Sequence, residues 1–175
     1  MKRTLIQFDG SNFYKKVKKI SPQIHLTPYN YRRLATYLVQ GKPDRIVYCV
    51  GEVKKYSGNK KSETLYANQQ SLFSNLRKQE IQIKLGYLLF FDGAYHEKGV
   101  DVQIAADIIY GAIKDEYDIC YLISSDTDLL PAIHIARNEG KEVIYVGFEH
   151  IISRALLKNC SSYRILKKDE ILQFA

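Results

Sequence analysis

Short apolar runs rich in β-branched residues alternate along this chain with amphipathic stretches of helical length, and that alternation constrains the fold more than any other feature. The runs predict strands over Thr4–Phe8, Asp44–Val50, Ile81–Leu89, Tyr117–Ser124 and Glu142–Gly147, with a short edge strand over Tyr163–Leu166. The stretches between them predict helices over Asn12–Ile20, Pro28–Gln40, Ser62–Gln79, Gly99–Lys114, Asp128–Asn138 and Ile151–Lys158. Ser11 or Asn12 is expected to cap the first helix, and Gly140 to close the fifth in a left-handed turn. Glu52–Lys61 reads as a polar, basic connection and Phe90–Lys98 as a loop. Strands that are continuous apolar runs, separated by helices, belong to a parallel sheet covered on both faces. No repeat, linker or low-complexity tract interrupts the pattern, so residues 1–175 read as one α/β domain. The stretch Tyr87-Leu88-Leu89-Phe90-Phe91 is expected in its core, with a contact between two copies in a homodimer as the alternative.

A chain of 175 residues with 46% hydrophobic content buries about 70% of its unfolded surface, enough for a core without staples. No run approaches the ~20 apolar residues of a membrane span, so no membrane role is expected. The opening Met1-Lys2-Arg3 leads into only five residues before Asp9, too little for a signal peptide. Cys49, Cys120 and Cys160 are far apart, odd in number and without metal-type spacing. They read as buried free thiols of a cytoplasmic protein.

The charge is uneven. Residues 1–90 hold 17 Lys and Arg against 5 Asp and Glu, whereas residues 91–175 hold 9 against 14. The cations are bunched at Lys15, Lys16, Lys18 and Lys19, at Arg32 and Arg33, and at Lys54, Lys55, Lys60 and Lys61, with Tyr14, Tyr29, Tyr31 and Tyr56 among them. Basic clusters interleaved with aromatics suit a phosphate backbone with bases free to stack; solvated lysines beside half-buried tyrosines give the same pattern.

In a sheet of this kind ligands bind beyond the C-terminal strand ends, near a topological switch point. Asp9 follows the first strand directly, Ser124-Ser125-Asp126-Thr127-Asp128 follows the fourth, and Asp101 lies in the first turn of the helix after Lys98-Gly99. Each alone reads as a helix cap or a partner for the helix dipole. Together they place acids at the ends of buried strands, where an unneeded charge is costly. Carboxylates so gathered repel and require a proton or a cation, and an oxygen-only donor set suits Mg²⁺ or Mn²⁺. His25, His96, His134 and His150 are scattered and read as surface or core fillers. A hard cation beside a basic half points to phosphodiester chemistry.

The segments Phe8-Asp9-Gly10-Ser11-Asn12, Lys98-Gly99-Val100-Asp101-Val102 and Ser124-Ser125-Asp126-Thr127-Asp128-Leu129 resemble, in order, the signature blocks of the NYN domain, in the LabA-like branch of the PIN-like nuclease superfamily. The resemblance spans roughly residues 3–160. It implies a PIN-like, Rossmann-like three-layer α/β/α sandwich with a mostly parallel sheet, whose acidic cluster binds Mg²⁺ or Mn²⁺ and cleaves RNA, single-stranded RNA in particular, as an endoribonuclease. Residue by residue it implies metal carboxylates at Asp9, Asp101 and Asp126, an orienting Asn12, and a further acid at Asp128. Ser125, Thr127 and Lys98, with the basic pair Lys54 and Lys55, are expected to meet substrate phosphate. Asp107, six residues past Asp101 and 120° around the helix, is expected off the metal face. A module that keeps the fold and binds RNA without turnover is the alternative. A haloacid-dehalogenase-like phosphatase wants an acid where Ser11 stands, and no glycine-rich phosphate loop is present.

Overall fold

The computed structural model describes residues 2–56, 58–91 and 94–175, with side chains outside residues 90–96. A seven-stranded sheet runs through its centre in the order β4-β3-β2-β1-β5-β6-β7. The strands are β1 (Thr4–Asp9), β2 (Arg45–Glu52), β3 (Gln82–Phe91), β4 (Ala94–Lys98), β5 (Ile119–Ile123), β6 (Glu142–Phe148) and β7 (Ser162–Leu166). All neighbours are parallel except β3 and β4, which are antiparallel. Helices α1 (Gly10–Ile20), α2 (Tyr31–Val39), α3 (Lys60–Lys78) and α7 (Lys168–Leu172) cover one face of the sheet, and α4 (Val100–Ile113), α5 (Leu130–Asn138) and α6 (Arg154–Asn159) the other. The α/β class and the mostly parallel three-layer arrangement expected from the sequence are those observed.

The alternation of each central strand supplies both cores. Ile6 and Phe8 of β1 face α1 and α2, while Leu5 faces α4. On the first face Phe8 sits among Phe13, Tyr31 and Tyr48, with ring centroids 5.6, 5.7 and 5.9 Å away. Aromatic contacts of this kind add roughly 1 kcal/mol each beyond buried area. They fix the end of β1 against the start of α1.

Several element limits differ from those expected. α1 begins at Gly10, because Asp9 itself caps it by accepting from Asn12 N at 3.0 Å. The turn from strand to helix is so tight that a Cβ on Gly10 would lie 2.4 Å from the Tyr48 ring. α2 begins at Tyr31, capped by Asn30, and α6 begins at Arg154, capped by Ser153, so Pro28 and Ile151 stand outside them. The expected loop over Phe90–Lys98 is wrong: β3 continues to Phe91 and Ala94–Lys98 returns as an antiparallel edge strand. The expectation of a core position for Tyr87–Phe91 also fails where it can be read. Tyr87 and Leu89 are about half exposed, because alternation along β3 turns them, with Leu85, outward. The side chains of Phe90 and Phe91 lie outside the described residues. The three cysteines are buried free thiols, as expected. Among the described residues no helix is long and apolar enough to cross a membrane.

Candidate active site

The chain leaves β1 toward β2 on one side and returns after β4 to β5 on the other, so the switch point of the sheet lies between β1 and β5. Asp9 ends β1 there, and Ser124 and Asp126 follow β5. One hydrogen bond ties the two strand ends together, and two more order the turn after β5. Ser124 Oγ donates to Asp9 Oδ2 at 2.8 Å, Asp126 N donates to Ser124 Oγ at 3.1 Å, and Asp128 N donates to Asp126 Oδ1 at 2.9 Å. Asp9 and Asp126 are therefore both caps, each for the turn that follows its strand. Capping uses one oxygen of Asp126 and leaves its charge uncompensated.

A cavity of about 370 Å³ opens at this point. Asp9, Asn12, Asp101 and Asp126 line it together with Lys98, as expected, and so do Ser11, Lys15 and Glu97, which sequence reading missed. Asp101 projects from the first turn of α4, whose cap position is Gly99 in the left-handed region at φ 78°. Asn12 Oδ1 is buried and has no partner among the described residues, an acceptor that the protein itself does not satisfy. Glu97 arrives from β4: its Oε1 accepts from Ser11 Oγ at 2.8 Å and from Gly51 N at 2.5 Å. Glycine at position 51 permits this approach, since a Cβ there would stand 2.9 Å from Glu97 Oε1.

The other expected residues fall outside the cavity. Thr127 and Asp128 are exposed beyond it. Ser125 turns its Oγ to within 3.4 Å of the Tyr145 hydroxyl rather than toward the carboxylates. Lys54 and Lys55 are exposed on the connection after β2 and do not line it. Asp107 is buried off this face, as expected, in an ion pair with Lys84 and a hydrogen bond from Gln103 Nε2 at 3.0 Å.

The electrostatics are those of carboxylates outnumbering the two lysines beside them, with which they form no ion pair. Burial pushes the Asp9 carboxyl up to about 6, against the pull of Asn12 N–H and the Ser124 hydroxyl, with Asp101 and Glu97 raising it further. Asp101 is raised too, by burial first and then by Asp126, Glu97 and Asp128, with Lys15 opposing. Among the described residues none of Asp9, Glu97, Asp101, Asp126 and Asp128 forms an ion pair. The donor set is all oxygen, which fits a hard divalent cation. No three of the described His, Cys, Asp and Glu side chains stand close enough to clasp one ion directly. The fit is therefore to an ion that keeps much of its water and takes one or two carboxylates directly, as Mg²⁺ does.

Glu97 escaped sequence reading because it lies in a segment with neither helical nor strand periodicity. Its one signal is adjacency to the Lys98-Gly99-Val100-Asp101 block. Ser124 gave a stronger one, standing between a buried strand and Asp126.

The NYN domain family model matches residues 3–167. An uncharacterised protein of the archaeon Methanocaldococcus jannaschii is 38% identical over 66 residues, a stretch covering 38% of this chain and 27% of that relative. The chain thus spans about a quarter of the length of that curated relative. A crystal structure of a protein of unknown function from Vibrio parahaemolyticus superposes with a TM-score of 0.71 over 97% of this chain and 95% of the other, at 19% identity. That likeness is one of fold.

Proposed function

The chain belongs to the NYN domain family, whose fold is that of the PIN-like nucleases, and from that premise and the charge of the pocket we propose that it is a metal-dependent endoribonuclease of the LabA-like branch, acting on single-stranded RNA with Mg²⁺ or Mn²⁺. The observation that carries this reading is the gathering of Asp9, Glu97, Asp101 and Asp126 around one cavity at the sheet's switch point, with no cationic partner among the described residues. Carboxylates gathered in this way are costly unless a cation joins them.

Asp9, Asp101 and Asp126 would hold the ion, one or two of them directly and the rest through its water shell, with Glu97 beside them and the unsatisfied Asn12 Oδ1 as an acceptor for that shell. Such an ion, when bound, polarises a phosphoryl oxygen and lowers the pKa of a water molecule. The remaining roles fall to the protein. Ser124 holds Asp9 in place through a 2.8 Å hydrogen bond, and its own position is fixed by Asp126 N. Glu97, anchored on Gly51 N, fixes the Ser11 hydroxyl at the mouth of the cavity. Lys15 and Lys98 line the same cavity, where their charges meet substrate phosphate that the carboxylates alone would repel.

The test is turnover. Purified protein with Mn²⁺ or Mg²⁺ is expected to cleave single-stranded RNA, and Asp126→Asn to lower the rate by about a hundredfold or more while the fold is retained. An intact RNA panel after incubation of the wild-type protein with metal would overturn the reading.

A further inference from the structure

Two further cavities succeed the acidic one along α1. A second cavity, of about 400 Å³, shares Ser11, Lys15 and Glu97 with it and is bounded on its far side by Leu65 and Gln69 of α3. A third, of about 330 Å³, shares Tyr14 and Gln69 with the second and ends on His25 and Asn68. The three follow one another along α1, each sharing lining residues with the next, and the second and third also reach α3. One wall is a single stripe of α1: Ser11, Tyr14, Lys15 and Lys18 stand at helical spacings of three, four and seven, and cover about 10 Å along the axis.

The lining changes along the run in a way that suits one kind of ligand. It starts at carboxylates and passes apolar side chains at Val50, Val53 and Leu65. It ends over the buried rings of Tyr31 and Tyr48. Tyr14 stands where the second and third cavities meet, with 52% of its surface exposed. Its ring lies 6.0 Å from Lys18 Nζ, and that ammonium is held by the carbonyls of Pro22 and Ile24, both at 2.8 Å. Tyr14 is thus an exposed aromatic beside a fixed cation, and it shares its cavity with the His25 imidazole and the Asn68 carboxamide, groups that can hydrogen-bond the edge of a planar ring. Lys98, Lys15 and Lys18 supply positive charge along the lining, Lys98 and Lys15 beside the carboxylates and Lys18 in the third cavity.

We infer that this groove is the track of a single RNA strand leaving the acidic centre, and that the cavity at its end takes one nucleobase stacked on Tyr14. An unpaired strand supplies both halves of the match, phosphates for the lysines of the lining and an open base face for the tyrosine. A duplex keeps its bases in its own stack and supplies only the first. The inference rests on the nucleic-acid reading above and adds where the strand runs and which residue selects it.

The experiment uses the full chain carrying Asp126→Asn, so that binding is measured without turnover, with a fluorescein-labelled RNA of mixed sequence followed by anisotropy. Adding Tyr14→Ala is expected to weaken binding of the single strand about tenfold, and Tyr14→Phe to leave it unchanged. A blunt duplex of the same sequence is expected to be indifferent to Tyr14→Ala. Unchanged single-strand affinity in Tyr14→Ala, or an equal loss with the duplex, would overturn the inference. Tyrosine-dependent binding with no cleavage by the wild-type protein would overturn the ribonuclease reading and leave the track standing. Cleavage with a Tyr14→Ala that binds normally would do the reverse.

Discussion

At the N-terminal ends of the strands, acids have partners. Asp118 accepts from Arg3 N at 2.7 Å and pairs with the Arg3 guanidinium at 2.8 Å, and the same guanidinium pairs with Asp115 at 2.9 Å. Glu116 pairs with Arg45 at 2.8 Å, Glu142 with Lys2, and Asp44 accepts from Thr4 N at 2.8 Å. At the C-terminal ends, Asp9, Glu97, Asp101 and Asp126 face one another across a cavity and none is in an ion pair among the described residues, although Lys15 and Lys98 line the same space. Arg3 holds the Asp118 carboxyl well below the usual carboxylate range, whereas burial and neighbouring acids hold Asp9 above it. One end of the sheet pairs its carboxylates within the fold, and the other leaves them without ion pairs among the described residues. That division is the structural ground on which the proposed cation is placed at the C-terminal end.

Asp107 extends the paired class into the core, and its removal has the largest expected effect. Asp107→Ala strands the half-buried Lys84 ammonium, and a loss of about 3 kcal/mol is expected, visible as a fall of about 10 °C in Tm. A Tm within a couple of degrees of wild type would mean that paired acids do not support this fold.

Asp9→Asn is expected to act in the opposite direction and by somewhat less. The Asp9 carboxyl binds its proton more tightly in the folded chain, at about 6, than the ordinary value of 3.8 in the unfolded one. Its contribution is therefore fully present below about pH 4 and is lost as pH rises through about 6. Asparagine keeps the cap without the charge, so the metal-free variant should gain roughly 2 kcal/mol at neutral pH and nothing near pH 4. Equal destabilisation at both pH values would contradict the reading of Asp9 as an uncompensated charge.

Arg3→Ala should have the smallest effect, because its pairs with Asp115 and Asp118 are largely exposed. The carboxyl of Asp118 is depressed, so the stability it brings is present above the ordinary carboxylate range and disappears on acidification. A slight fall in Tm at neutral pH that vanishes in high salt is the expected result, and thermal melts at two ionic strengths would measure it.

The acidic end was more legible in the sequence than the paired end, for a physical reason. Asp9 and Asp126 each follow a buried apolar strand at once, so their position in the fold is set by a few neighbouring residues. Arg3 and Asp118 are 115 residues apart, and nothing local joins them until the sheet aligns β1 beside β5. Glu97 was lost for a similar reason: β4 takes its identity from pairing with β3, not from a pattern of its own. The outward turn of Tyr87 and Leu89 was hidden because apolar residues on an exposed face of β3 look, in sequence, like core.

Binding of Mn²⁺ to the full chain, followed by its paramagnetic resonance signal at neutral pH, tests the division between the two ends most directly. The account predicts saturable binding that Asp9→Asn and Asp126→Asn each weaken severely, that Asp118→Asn leaves intact, and that fades as pH falls through about 6 with protonation of Asp9. Absence of saturable binding, or binding indifferent to Asp9→Asn and Asp126→Asn, would contradict it.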